Sequence, residues 1–126
     1  MRRLWAAVVI IVVMLTYCVI SVFAVTHQEQ EMVYLLEKAY NAAQSGDFEK
    51  AYKLARQSEE RWIEVESAIF MFISHLELAE IGASIARMPP LIKNENKAEF
   101  MAVSRYVIVR ITHLAQSERV SIQNIL

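Results

Sequence analysis

Residues 4–25 read LWAAVVIIVVMLTYCVISVFAV, 22 residues without one charged side chain. At ~1.5 Å per helical residue the run measures roughly 33 Å, enough to cross a hydrocarbon core about 30 Å thick. Its many β-branched residues do not argue against helix, because in lipid every backbone N–H and C=O must be satisfied within the segment. The run therefore reads as one transmembrane helix. Arg2 and Arg3 precede it, and the next base, Lys38, comes only after Glu29, Glu31 and Glu37. That asymmetry predicts a cytoplasmic N-terminus and an exported remainder, a single-pass protein of the cell membrane.

Two other fates compete for the segment. Val22-Phe23-Ala24 fits a signal-peptidase site, but the apolar run exceeds the about 7–15 residues of a signal's core, which favours retention. Leu15-Thr16-Tyr17-Cys18 has the leucine of a lipoprotein signal. A bulky tyrosine before the cysteine and a mostly apolar continuation speak against that reading. Cys18 is the sole cysteine, so no intrachain disulfide can form and an exported domain must rely on its core.

Outward from the anchor, residues 1–26 form a cytoplasmic tip and span, and residues 27–126 one exported domain. With two glycines, two prolines and 56% hydrophobic residues, the chain is predicted to be all-α: the transmembrane helix followed by a small antiparallel helical bundle. Residues 27–126 carry 11 bases and 14 acids, which excludes the basic surface that nucleic acids require.

The first exported helix is expected over about His27–Gln44, either separate from the span or continuing directly out of it. Met32, Leu35, Leu36, Ala39, Tyr40 and Ala43 recur there at helical spacing. Ser45-Gly46-Asp47 should end it, glycine in the left-handed cap and aspartate starting the next helix. Phe48, Ala51, Tyr52, Ala55 and Trp62 then make the second stripe. This hairpin superficially matches a tetratricopeptide repeat at Ala39, Gly46, Phe48 and Ala51. Ala42 stands where that repeat has a large aromatic, and no second copy follows, so an ordinary hairpin is preferred.

From Arg61 to Met88 the chain is strongly apolar, with Gly82 its sole turn residue. It reads either as one long helix or as a third helix beginning near Ser67. Projected as one helix, it has two apolar faces. Trp62, Val65, Ile69, Phe72, Leu76, Ala79, Ala83 and Ala86 share one. Ile63, Phe70, Leu78, Ile81, Ile85 and Met88 share the other. The expectation is that Ile63, Phe70, Ile81 and Ile85 stay partly open as a partner-binding patch. Glu77, Glu80, Ser84 and Arg87 form a polar strip, read as an intrahelical network or a register-setting contact with a partner. Pro89 and Pro90 should stop the helix. The last helix should run from Asn94–Asn96 to about Ala115, with His113 in its last turn and residues 117–126 docking back. Tyr106–Thr112 would also suit a strand, but no partner strand exists.

Chemistry-bearing constellations are sparse. His75, Glu77 and Glu80 suggest a metal, yet His75 projects about 160° from Glu77 and about 140° from Glu80 on one helix. A site built from His75, His113 and a further carboxylate would need other helices. There is no exported cysteine nucleophile, no serine in a strained elbow, no phosphate loop and no dinucleotide fingerprint. Neither catalysis, a cofactor nor a metal is expected.

The anchor, Trp62, His75-Leu-Glu77-Leu-Ala-Glu80-Ile, Ser84-Ile-Ala-Arg87, Ile111-Thr-His113 and Asn124-Ile-Leu126 together resemble the DUF4363 family, membrane-anchored helical proteins of clostridia without an assigned reaction. The resemblance covers nearly the whole chain, although members often carry an acid where Ala79 stands. It implies a further small membrane protein as a partner. The function expected is a membrane-tethered, non-catalytic helical interaction or accessory subunit that associates with a protein partner or with itself. The alternative is a ligand-binding or sensing module with a pocket inside the bundle.

Overall fold

The computed structural model of the chain describes residues 1–69 and 74–125. Among the described residues four helices follow one another: α1 (Arg2–Gln44), α2 (Phe48–Ile69), α3 (His75–Lys93) and α4 (Lys97–Ile125). They form an up-down-up-down bundle in which α1 packs on α2 and α4, and α3 packs on α2 and α4. No strand occurs among the described residues, and Tyr106–Thr112 lies within α4.

α1 is a single helix of 43 residues, about 65 Å long. Its N-terminal half stands clear of the bundle: Arg2–Ser21 is long and apolar enough to cross a membrane, and none of it is buried. Burial begins at Met32 and continues through Leu36, Ala39 and Ala43. The apolar segment and the first wall of the bundle are therefore one rod without an intervening linker.

Both hairpin turns use the same cap. At the end of α1, the Gly46 and Asp47 N–H groups donate to the Ala43 and Ala42 carbonyls at 3.1 and 2.9 Å. At the end of α3, the Glu95 and Asn96 N–H groups donate to Ile92 and Leu91 at 3.0 and 2.9 Å. Each is a Schellman motif with a left-handed residue at its centre, Gly46 (φ 85°) in one and Glu95 (φ 58°) in the other. The side chain of the next residue then caps the following helix: Asp47 accepts from the Lys50 N–H, and Asn96 from the Glu99 N–H.

The two hairpins repeat each other at an offset of 49 residues. Burial agrees at nearly every position from Met32–Ser67 to Ile81–Gln116. Met32, Leu36, Ala43, Ala51, Ser58 and Trp62 correspond to Ile81, Ile85, Ile92, Phe100, Val107 and Ile111, all of them buried. A second copy of the tetratricopeptide pattern is missing from the sequence. A second hairpin nevertheless exists in space, without the motif.

The structure corrects several expectations. α3 does not stop at the prolines: Pro89 and Pro90 lie inside it, and it ends at Lys93. Each proline removes one helical hydrogen bond, but burial of Met88, Pro89 and Ile92 holds the last turn in place. α4 runs to Ile125, so His113 is far from its last turn and residues 117–125 continue the helix.

Candidate functional site

The apparent two-faced helix dissolves into two helices with separate phases. α2 ends at Ile69 and α3 starts at His75. α2 buries Trp62 and Val65, whereas α3 buries Leu78, Ile81, Ile85 and Met88. The buried members of one projected face belong to α2 and those of the other to α3. Ile81 (1% exposed) and Ile85 (0%) are core residues and are not available to a partner, contrary to the open-patch expectation. Ile63 is exposed, and Phe70 lies outside the described residues.

The polar strip is a seam between helices rather than a ladder along one. Glu80 accepts from the Tyr106 hydroxyl at 2.7 Å and from Arg110 at 3.2 Å, both on α4. Arg87 donates to Glu99 of α4 at 2.8 Å. Ser84 donates to the Glu80 carbonyl one turn back, and Glu77 lies exposed in the first turn of α3. The equivalent seam in the first hairpin pairs Glu31 of α1 with Arg61 of α2, which also bonds Glu64 at 2.6 Å. The two carboxylates hold the Arg61 guanidinium above its ordinary value by accepting its hydrogen bonds, Glu64 first and then Glu31. The Glu80 carboxylate, accepting its hydroxyl proton, likewise raises the Tyr106 phenol.

Trp62 of α2 is buried against α3, at 3% exposure. Its indole lies so close to α3 that a Cβ on Gly82 would come within 2.9 Å of Nε1. The absence of a side chain at Gly82 is what admits the ring. In the sequence Gly82 is legible only as an isolated turn residue, because its partner is 20 residues away on another helix.

Counting at ~1.5 Å per residue from the turns, His27, His75 and His113 stand at nearly one height on three helices, and all three are exposed. No group of three or more His, Cys, Asp or Glu side chains is arranged to hold a metal among the described residues. Phe48, Glu49, Tyr52, Ile92, Lys93 and Glu95 line a shallow open groove at the opposite end, beside the turns. It lies on the surface and not inside the bundle.

The model of the family described as Domain of unknown function (DUF4363) matches residues 19–125, the whole bundle together with the last turns of the apolar segment. The chain belongs to this family. No curated protein and no solved structure is significantly similar to it. Within this DUF4363 protein the matched region begins inside α1, so the family pattern itself spans the junction between apolar segment and bundle.

Proposed function

We propose that this DUF4363 protein is a membrane-tethered, non-catalytic accessory subunit that presents a helical bundle on the extracytoplasmic face. The observation that carries this reading is the continuity of α1, which supplies both the apolar segment and one wall of the bundle. A flexible linker would let a tethered domain search a volume; a continuous helix fixes its height and direction relative to the membrane. Such rigidity suits a component that contacts another membrane protein at a set distance. The exposed apolar side chains of Val8–Leu15 offer that partner, or lipid, a packing surface. Trp5 beside Arg2 and Arg3 suits the cytoplasmic interface.

A reporter fused after Leu126 tests the topology: it should be active only in its exported form, and cytoplasmic activity would reverse the orientation. Cross-linking in native membranes followed by mass spectrometry tests the accessory role. A recurrent membrane-protein partner, or a second copy of the chain, is expected. Cross-links confined to single isolated chains would sink the proposal.

A further inference from the structure

Each of the four described helices has a large apolar side chain exposed at the same end of the bundle. These are Phe23 on α1 (77% exposed), Ile63 on α2 (62%), Leu76 on α3 (78%) and Val120 on α4 (55%). The opposite end differs, for its two turns carry Ser45, Gly46, Asp47, Asn94, Glu95 and Asn96. Apolar side chains left in water add nothing to folding, and elsewhere on the bundle the described residues expose only Tyr34, Tyr106 and Val109, so the clustering at one end points to a partner.

The continuity of α1 says what that partner is. Helices α2 and α4 run back toward the N-terminal half of α1, and α3 starts there. Counting residues from the turns at ~1.5 Å each, Leu76 stands near the height of His27, Ile63 near Glu29 and Val120 near Ser21. The uncharged apolar run of α1 ends at Val25. The four side chains thus lie within about 6 Å of the level at which α1 would leave the hydrocarbon. α4 continues to Ile125, ten residues past Ala115, and so reaches that level as well. Exposed polar residues at this height, His27, Ser74, His75 and Ser117, suit a headgroup layer, which accepts polar and apolar groups together.

We propose that this base of the bundle docks onto the lipid of the same membrane that α1 crosses, with Phe23, Ile63, Leu76 and Val120 immersed in the headgroup layer. The base is also acidic, with Glu29, Glu64, Glu66 and Glu77 near it, so the contact is apolar in origin and does not require anionic lipid. The inference rests on the transmembrane reading of α1.

The test uses the full chain with Cys18→Ala, reconstituted in phosphatidylcholine nanodiscs. Single nitroxide labels are placed at Val12→Cys, Leu76→Cys, Val120→Cys and Glu95→Cys, and collision rates are measured with oxygen and with a water-soluble nickel complex. The oxygen-to-nickel ratio should be highest at 12, severalfold lower but still raised at 76 and 120, and lowest at 95. A deep label at 12 with 76 and 120 as aqueous as 95 would overturn the docking and leave the anchor standing. An aqueous label at 12 would overturn both. Low collision rates with both reagents at 76 and 120 would mean protein covers the base, which also overturns the lipid contact.

Discussion

In the first hairpin Glu31 reaches Arg61 across two helices, and in the second Glu80 reaches Arg110 at the same two places. The turns are capped alike and the same positions are buried, yet the fillings are opposite. Near its turn the first hairpin offers Ala39, Ala43, Ala51 and Ala55, where the second has Met88, Ile92, Phe100 and Ser104. Further down, Trp62 faces a second hairpin that gives Ile111 at the matching place and Gly82 where the ring lands. One backbone plan is used twice, and the volume absent from one copy is supplied by the other. A core needs a constant total volume rather than constant residues.

The largest effect should come from putting a charge at matched buried positions. Ile81→Glu and Met32→Glu each bury an unpaired carboxylate, which exceeds the whole stability of a small domain, about 5–15 kcal/mol, unless the group neutralises or the fold opens. Loss of cooperative urea unfolding of the full chain in detergent is expected for both. Ile63→Glu, on the exposed face, should stay within about 0.5 kcal/mol of the parent. A folded Ile81→Glu protein would break the equivalence and reinstate that face as a contact surface.

Next in size is the wedge. Trp62→Ala should cost about 3–5 kcal/mol. Gly82→Ala should cost about 1–3 kcal/mol, because the indole must move for a methyl group that would sit 2.9 Å from it. The pair should be non-additive: with Trp62 already truncated, Gly82→Ala should become nearly harmless. Additive losses would show that the methyl group clashes with something other than the ring.

Much of this fold was legible one helix at a time. The 22-residue apolar run, the Gly46 turn and the stripe through Met32, Leu36 and Ala43 all declare themselves within a few residues. The break between α2 and α3 was legible only as one of two alternatives, a third helix from near Ser67, because no glycine or proline marks it and both flanks are apolar. Projecting across it merged two phases into one false helix and placed Ile81 and Ile85 outside. Pro89 and Pro90 misled in the other direction, since local chemistry says stop while buried Met88 and Ile92 keep the turn wound. The seam through Glu80 was legible as a polar strip but not as a partner of Tyr106 and Arg110, which lie 26 and 30 residues on. The internal repeat was hidden because its shared property is burial rather than residue type.

The two turns provide a smaller test. Gly46→Ala forces a Cβ into a left-handed position and should cost about 1–2 kcal/mol, whereas Glu95→Gly removes that same strain and should stabilise by up to about 1 kcal/mol. Opposite signs in urea melts are the expected outcome. Equal signs would mean the two caps are not energetically alike.

The smallest effect separates the two seams by pH. Both have a carboxylate and an arginine, but only the second has a phenol, since Gln57 stands where Tyr106 does in the repeat. The Tyr106 hydroxyl donates to Glu80, which raises the phenol above its ordinary value of 10.0, by the hydrogen bond first, then by desolvation and by the carboxylate's charge. A group raised on folding contributes stability that is complete below its unfolded value and disappears as pH climbs through its folded value. The parent should therefore lose a little stability above about pH 10 in a way that Tyr106→Phe does not, while at neutral pH the variant is slightly the weaker. Tyr106 is exposed, so the difference is small and is best read as the alkaline divergence between two otherwise parallel titrations. An identical alkaline slope in parent and Tyr106→Phe would show that the hydroxyl contributes nothing and that the two seams act as the same ion pair.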